Sequence, residues 1–291
     1  MISNHSRAIL DRYALASAAL SQRSGERTAS EAGQSVEFRD FRPYQPGDEL
    51  RYVDWKVYAR TGRLYTRLYQ AERTVSLHIV LDTSSSMSIG YKAAYARSLA
   101  QLLSYVAQRD SVSQVHLFDG SHNTAQQGRK SIAQTWDFIE NAHAQTNQSK
   151  NTQPVAALKN FALRNRFKAG AGLALVISDL FDESSLQPAL AALRARGLDA
   201  SFLQVMAESD LNPEEGRLEL VDLETQEKLL VTPEEVRNYK RAVQQFVQRT
   251  RSAVMGAGYR HVLLRAGGGE LDSLERSAFA ALVKAGILIK R

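Results

Sequence analysis

Residues 75–86 read VSLHIVLDTSSS, an apolar run that stops at an aspartate followed by four hydroxyl side chains. An apolar run of roughly four to eight residues, with little polar alternation, favours a strand buried on both faces of a parallel sheet. The polar residues from Asp82 to Ser86 cannot continue such a strand. They therefore predict a loop at its carboxyl end.

Further apolar runs follow along the chain, and segments with helical periodicity separate them. We predict strands at residues 112–118, 173–178, 201–206 and 261–264, and helices at 95–106, 132–143, 154–167, 185–196, 234–255 and 271–283. Alternation of this kind predicts helices laid over both faces of a sheet. The predicted fold class is α/β, with a doubly wound, mostly parallel sheet.

The pattern of apolar and polar residues changes near Arg73, and this change predicts two sections. Residues 1–73 combine two candidate strands, at 36–44 and 64–69, with a short helix. The helix is predicted from apolar residues at helical spacing, namely Ile9, Tyr13, Ala16 and Leu20. Residues 74–291 form the α/β domain, which a predicted hairpin near 211–231 interrupts. We thus expect a small N-terminal β-containing section and one larger domain.

The composition limits the cellular compartment and the kind of partner that we expect for this chain. The 291-residue chain contains no cysteine, which excludes disulfides and thiolate metal sites. Charged residues interrupt the N-terminus where a signal peptide needs an apolar core, and no run reaches the roughly 20 apolar residues of a membrane span. A net charge of +6, from 37 basic and 31 acidic residues spread along the chain, does not favour nucleic acid as a partner. We expect a cytoplasmic protein without a membrane span.

Two aspartates stand directly after predicted core strands, Asp82 and Asp179. Parallel strands bring their carboxyl ends to one edge of the sheet, where doubly wound folds bind ligands, so we expect the two carboxylates to lie close together. Ser84 and Ser86 stand at alternate positions after Asp82 and can turn their hydroxyls toward the same point. Hard oxygen ligands of this kind suit Mg²⁺ or Mn²⁺.

The same serine-rich stretch allows a purely structural interpretation. Serines after a strand commonly cap the next helix, and Ser86 or Ser88 can do so here. Spacing alone does not separate a metal site from a capped turn.

Two motifs resemble known families. Asp82 to Ser86 match the Asp-x-Ser-x-Ser signature of the metal-ion-dependent adhesion site in von Willebrand factor A domains. Residues 37–60 read EFRDFRPYQPGDELRYVDWKVYAR, which is similar to the hallmark of bacterial domain-of-unknown-function family 58. Members of that family carry a von Willebrand factor A-like domain and are typically encoded beside MoxR-type AAA+ ATPases. The resemblance covers nearly the whole chain, through residues 220–225 and the helix that contains Tyr239.

The resemblance implies a set of metal ligands drawn from three loops. They are Asp82, Ser84 and Ser86 in the first loop, Thr152 in the second and Asp179 in the third. Asp182 is a nearby substitute for the third-loop acid or a supporting residue. This sequence departs from the pattern at Leu180, where many A domains have glycine after the acid.

The resemblance also implies a function, a non-catalytic and metal-dependent protein-interaction module. Such a module would serve as adaptor or cofactor of a MoxR-type AAA+ ATPase in the remodelling or maturation of client proteins, and a client would supply an acidic side chain to the metal. The alternative from another class is a metal-dependent phosphohydrolase that uses Asp82 at the sheet edge. Against it, the sequence has no Asp-x-Asp pair after the first strand and no evident general base beside it.

The hallmark stretch, residues 37–60, has two interpretations of its own. We expect Asp48 and Asp54 to pair with Arg51 or Arg60, as in a structural clamp. The other interpretation is a surface that docks a partner.

Overall fold

Strands and helices alternate along most of the chain in a computed structural model, which describes residues 4–16, 36–71, 76–109, 111–146, 153–165, 172–213, 218–221, 228–267 and 275–291. In chain order the strands are β1 (Tyr13–Leu15), β2 (Val36–Pro43), β3 (Tyr65–Ala71), β4 (Ser76–Leu81), β5 (Val112–Leu117), β6 (Gly172–Ser178), β7 (Asp199–Ala207), β8 (Leu218–Val221), β9 (Lys228–Val231), β10 (Arg260–Ala266) and β11 (Leu288–Lys290).

The α-helices of the described residues are α1 (Asn4–Leu10), α2 (Trp55–Thr61), α3 (Lys92–Gln108), α4 (Ile132–Thr146), α5 (Pro154–Arg164), α6 (Gln187–Ala195), α7 (Glu208–Leu211), α8 (Pro233–Gly256) and α9 (Ala280–Lys284). Five of them match predicted helices within a few residues at their ends, namely α3, α4, α5, α6 and α8. Helices α2 and α7 were not predicted, and α9 covers only the end of the helix predicted at 271–283. Within the part of the chain that the structure describes, no helix has both the length and the apolar character needed to cross a membrane.

The central sheet is parallel and contains β5, β4, β6, β7 and β10 in that spatial order. The chain starts at β4, passes to β5 on one side, and returns to β6 on the other side of β4. This is the order of a doubly wound sheet, and it places a topological switch point between the carboxyl ends of β4 and β6. The predicted α/β fold class is confirmed.

Strand β4 lies between two hydrophobic cores. Leu77, Ile79 and Leu81 face a core that includes residues of α3, whereas Val80 faces a second core that includes residues of α5 and α6. These four side chains are at most 1% exposed. Burial on both faces explains why the run is apolar at nearly every position, and each side chain contributes about 1.5–3 kcal/mol through burial.

The N-terminal segment differs from its prediction. Helix α1 ends at Leu10, and β1 pairs antiparallel with β11 at the other end of the chain. Tyr13 packs edge-on against Phe279, with ring centroids 4.9 Å apart. The predicted helix is therefore wrong from Tyr13 onward, because pairing with a distant strand outweighs a weak local helical preference. Leu20 lies outside the described residues.

The chain divides by internal contacts into two units. The α/β unit consists of Met1–Ser17 and Val75–Arg291, and the hairpin unit consists of Ala18–Thr74. Within the α/β unit, β8 and β9 pair antiparallel, with Leu218 opposite Val231. In the hairpin unit, β2 and β3 pair antiparallel, with Pro43 opposite Tyr65.

Two aspartates organise the hairpin unit. Asp48 pairs with Arg42 at 2.5 Å between Oδ1 and Nη2, and it accepts the Thr66 hydroxyl at 3.0 Å. Asp54 is the N-cap of α2 and pairs with Arg67 at 2.9 Å between Oδ2 and Nε. Each carboxylate thus combines a local backbone or hydroxyl donor with an arginine of the hairpin.

The arginine partners predicted for these aspartates, Arg51 and Arg60, are wrong. Asp48 and Asp54 take arginines of β2 and β3 instead, and Arg51 pairs with its neighbour Glu49. Strand pairing brings residues distant in sequence next to the turn, and proximity in sequence alone does not reveal them.

Candidate functional site

The candidate site lies at the carboxyl edge of the central sheet, at the switch point. Asp82 follows β4 and Asp179 follows β6, and both are buried. The Asp82 N–H donates to the carbonyl of Ile177 at 3.0 Å, so the pairing of the two strands extends to the site. The two acids are close enough for the charge of Asp179 to act on Asp82.

The carboxylate of Asp82 is held by two local donors. Oδ1 accepts the N–H of Ser84 at 2.7 Å, and Oδ2 accepts the hydroxyl of Ser178, the last residue of β6. Burial raises the pKa of Asp82 well above its ordinary value, and the charge of Asp179 raises this pKa further, while the bonds from Ser178 and Ser84 oppose the rise. A cation beside Asp82 would therefore stabilise the ionised carboxylate.

The hydroxyls of Ser84 and Ser86 meet next to Asp82. Their Oγ atoms lie 3.0 Å apart. An octahedral Mg²⁺ ion with oxygens at roughly 2.0–2.1 Å places neighbouring ligand oxygens about 3 Å from each other. The spacing of the two hydroxyls therefore fits two adjacent ligand positions of such an ion.

The capping interpretation of the serines is wrong. The residue before α3 is Tyr91, whose side chain forms no capping bond, and Ser88 donates its hydroxyl to the carbonyl of Ser85 at 2.7 Å. Ser86 shares its hydroxyl with Ser84 instead. The serines shape their own loop and do not cap α3.

Asp179 is fully buried and more constrained than Asp82. Its Oδ1 accepts the N–H of Phe181 at 3.1 Å, and its backbone carbonyl accepts Nε2–H of Gln204 at 3.0 Å. The next residue, Leu180, has φ +58°. A left-handed backbone is natural for glycine and strained for leucine, by on the order of 1 kcal/mol. The departure from glycine noted in the sequence is thus accommodated as local strain beside the site.

Sequence reasoning missed a buried cation at this edge, Lys92. Its Nζ lies 2.8 Å from Oδ2 of Asp179 and 3.1 Å from Oδ2 of Asp210, and its side chain is 1% exposed. The ammonium also lies 5.2 Å from the ring centroid of Phe181. Asp210 follows β7 by three residues, so the rule that singled out Asp82 and Asp179 could have found it. Lys92 carries no such local signal.

A left-handed turn places Lys92 at the site. Gly90 and Tyr91 have φ +60° and +62°, and α3 begins at the next residue. A Cβ atom on Gly90 would collide with the Cβ of Ala207 at the end of β7. Glycine is therefore required at position 90 both for its backbone conformation and for this close approach.

The remaining predicted residues belong to the second and third loops. Thr152 lies outside the described residues. Asp182 accepts the N–H of Val155 at 2.9 Å through Oδ2, and the N–H and hydroxyl of Ser184 through Oδ1. Asp182 thus satisfies a free N–H in the first turn of α5, and both of its oxygens have protein donors.

An open cleft of about 1070 Å³ adjoins the serines. Its lining includes the first-loop hydroxyls of Ser84 and Ser86 and, on the other side, side chains of α8. Phe246 of α8 stacks on Phe181, with ring centroids 4.9 Å apart and planes at 15°. Tyr239, 44% exposed, and Arg249 complete this wall. The cleft therefore offers hydroxyl groups, aromatic faces and a guanidinium, and Asp182 and Glu183 also line it.

The first loop fits a hard divalent cation, and Asp179 does not fit as a direct ligand. The hydroxyls of Ser84 and Ser86 have a spacing that suits two ligands, and Asp82 lies beside them and accepts the N–H of Ser84. The carboxylate of Asp179, by contrast, is already paired with the positive charge of Lys92. Among the described residues, no group of three or more histidine, aspartate or glutamate side chains could hold a metal ion. A cation there would depend on hydroxyls, water and an outside ligand.

Two solved structures match about three quarters of this chain with low overall similarity. An aerotolerance-related membrane protein from Bacteroides fragilis gives a TM-score of 0.43 at 13% identity, over 72% of this chain and 99% of that chain. A von Willebrand factor type A structure from Catenulispora acidiphila gives 0.37 at 13% identity, over 74% of this chain and 43% of that chain.

Curated relatives match a shorter segment. The uncharacterized protein Rv1480 of Mycobacterium tuberculosis and the uncharacterized protein Mb1516 of Mycobacterium bovis are each 39% identical over 71 residues. The matched segment is 24% of this chain and spans 20% of the length of those relatives. The family model described as "Protein of unknown function DUF58" matches residues 40–252. With most of its length matched, the chain belongs to this DUF58 family.

Proposed function

We propose that the chain is a non-catalytic protein-interaction module whose cleft receives an acidic side chain of a partner protein, with a divalent cation at the first loop. The observation that carries the proposal is the hydroxyl pair of Ser84 and Ser86, 3.0 Å apart in the lining of the cleft and beside buried Asp82. Hydroxyls arranged in this way have no role as helix caps here, which leaves them available to a ligand.

Asp82, Ser84 and Ser86 are the residues that would hold Mg²⁺ or Mn²⁺, with Thr152 as the second-loop ligand that the family resemblance implies. The cation would supply a Lewis-acidic position for an oxygen ligand from outside the chain. Asp82 would balance part of its charge, and the N–H of Ser84 and the hydroxyl of Ser178 hold this carboxylate in place.

The wall of the cleft supports a protein partner. Partly exposed aromatic and arginine side chains dominate the binding energy of many protein interfaces, and Tyr239, Phe246 and Arg249 line this cleft. The guanidinium of Arg249 would attract the acidic segment that carries the incoming carboxylate, and a divalent cation would offset the repulsion from Asp182 and Glu183 in the same lining. The cleft is large enough for several side chains of a partner. The cation at the hydroxyl pair would select the acidic one.

The partner of this proposal is a MoxR-type AAA+ ATPase together with its client protein. Membership of the DUF58 family supports this choice, since the family resemblance implies an adjacent ATPase of that type. The ATPase would supply the energy, and this chain would recognise the acidic segment during remodelling or maturation of the client.

The test is binding of the purified full chain to a peptide rich in aspartate and glutamate, which stands in for the acidic segment of the client, by biolayer interferometry with Mg²⁺ or with EDTA. We expect Ser86→Ala and EDTA each to weaken binding at least about tenfold, because each removes part of the cation site. Ser88→Ala is the matched control: Ser88 lies in the same loop, is exposed, and bonds only to the carbonyl of Ser85 among the contacts described.

Two outcomes would contradict the proposal. Binding that is equal in Mg²⁺ and EDTA, and unchanged by Ser86→Ala, would remove the cation site from recognition. Turnover of a phosphomonoester that Asp82→Asn abolishes would instead support the phosphohydrolase.

A further inference from the structure

The buried ion pairs of Lys92 are unusual for their position in the fold. Lys92 is the first residue of α3, where the helix dipole disfavours a positive charge. The ammonium and the Asp179 carboxylate are 1% and 0% exposed, so both lose nearly all of their hydration. Well-packed apolar side chains can often replace a buried ion pair without loss of stability, so folding alone does not explain this one.

The carboxylate of the third-loop acid, Asp179, is already paired with a cation, the ammonium of Lys92. Asp179 gives Oδ2 to Lys92 at 2.8 Å and Oδ1 to the N–H of Phe181 at 3.1 Å. A divalent ion at the first loop would meet an acid that is already neutralised, together with repulsion from a nearby positive charge that burial leaves poorly screened. Asp210, on the far side of the ammonium, holds Lys92 in this place.

We propose that the ammonium of Lys92 permanently neutralises Asp179 and so takes the role of a cation at this acid. The free chain then binds divalent metal only weakly, and it requires the partner's carboxylate to complete the ligand set. The inference rests on the proposed cation site at Asp82, Ser84 and Ser86, and it specifies how that site is regulated. Metal and partner then bind together, because neither the first loop nor the partner carboxylate alone provides enough ligands.

The test measures Mn²⁺ binding to the isolated full chain by isothermal titration calorimetry. The variant is Lys92→Met with Asp210→Asn, which removes one charge of each sign and leaves Asp179 free at unchanged net charge. We expect it to bind Mn²⁺ at least about tenfold more tightly than the wild type, because a free carboxylate replaces a repelling ammonium. Asp210→Asn alone keeps Lys92 on Asp179, so we expect no gain from it.

A second variant keeps the inference testable if the double variant fails to fold. Asp179→Asn preserves the shape of the side chain and leaves Lys92 paired with Asp210. Asp179→Asn and Asp210→Asn each remove one carboxylate that faces Lys92, so we expect them to change the affinity for Mn²⁺ equally, within about threefold, since neither acid is a metal ligand. A loss that is tenfold greater in Asp179→Asn than in Asp210→Asn would overturn the inference.

Equal affinity of the wild type and the double variant, or no Mn²⁺ binding by a folded double variant, would likewise overturn the inference. No partner protein enters these measurements. The Mn²⁺ affinities can therefore be interpreted even if the partner-binding experiment fails. Conversely, a failure of the Mn²⁺ experiment would not decide whether the serines bind a partner, which the interferometry tests.

Discussion

The hairpin unit and the carboxyl edge of the central sheet both pair aspartates with cations, and they do so for different reasons. In the hairpin unit, Asp54 accepts the N–H groups of Lys56 and Val57 and caps α2, and the side chain of its partner Arg67 is 38% exposed. At the sheet edge, Asp179 and Lys92 are almost completely buried, and neither side chain caps a helix.

This difference separates charges that local folding explains from charges that it does not. Local hydrogen bonds lower the pKa of Asp48 and Asp54: the largest contribution comes from the N–H of Gln45 at Asp48 and from Arg67 at Asp54. Burial acts in the opposite direction at Asp82, whose pKa it raises. A carboxylate whose environment opposes its charge is a stronger candidate for function than one whose environment favours it.

Removing a cation from each region gives the largest expected effect. Lys92→Met leaves Asp179 and Asp210 buried without their counter-charge, and we expect the free energy of unfolding to fall by on the order of 4 kcal/mol. The change is measured by urea unfolding followed through Trp136 fluorescence, in a Trp55→Phe background so that only the α/β unit is observed.

The matched change in the hairpin unit is Arg42→Met, followed through Trp55 in a Trp136→Phe background. Because the side chain of Arg42 is 29% exposed, water replaces part of the lost interaction, and we expect a several-fold smaller destabilisation. A Lys92→Met variant as stable as the wild type would remove the contrast between the two regions.

A buried histidine pair in the α/β unit gives a second case in which burial opposes charge, since burial keeps both side chains neutral. Nδ1 of His78 and Nε2 of His116 lie 3.1 Å apart, and burial lowers the pKa of His78 to about 4 and of His116 to about 3. The unfolded chain, with histidine pKa values near 6.5, binds more protons than the folded chain below that pH. Stability is therefore complete above pH 6.5 and falls as the pH decreases toward 4, with a contribution on the order of 3 kcal/mol from each histidine.

The histidine contribution is isolated by comparing unfolding free energies between pH 7 and pH 4.5 in the wild type and in His116→Gln. We expect the variant to lose less stability than the wild type on acidification, because one of the two titrating groups is gone. His122→Gln, at an exposed neighbouring position, removes only a minor charge that lowers the pKa of His116, so it should change the profile less than His116→Gln does. Identical profiles for His116→Gln and the wild type would contradict the assignment.

We expect the smallest effect at Asp54, where two variants distinguish a helix cap from an ion-pair partner. Asp54→Asn keeps an oxygen for the N–H groups of Lys56 and Val57, whereas Asp54→Ala removes the cap. We expect hydrogen exchange of the α2 amides to speed up by about fivefold in Asp54→Ala and to change little in Asp54→Asn. Equal acceleration in both variants would assign the role to the pair with Arg67.

The sequence predicted the parts of this fold that depend on neighbours along the chain. The apolar run of β4 predicts a strand buried on both faces, and the alternation that follows it predicts the doubly wound sheet. From that topology alone, Asp82 and Asp179 were expected at one edge, where the structure places them. Helical spacing misled at Tyr13, because strand β11, which pairs with β1, lies at the opposite end of the chain.

By itself, then, the sequence determined the strands of the central sheet, the helices that cover them and the loop that carries Asp82, Ser84 and Ser86, because hydrophobic periodicity and turn chemistry act over a few residues. Only the tertiary structure decided which charges meet at the edge. Lys92 contacts Asp179, which is 87 residues away in sequence, and Asp210, which follows a further strand. No local sequence pattern predicts these contacts, because the packing of α3 against the sheet creates them. The physical reason is that burial and pairing of charge depend on distances in space, which the winding of the chain sets.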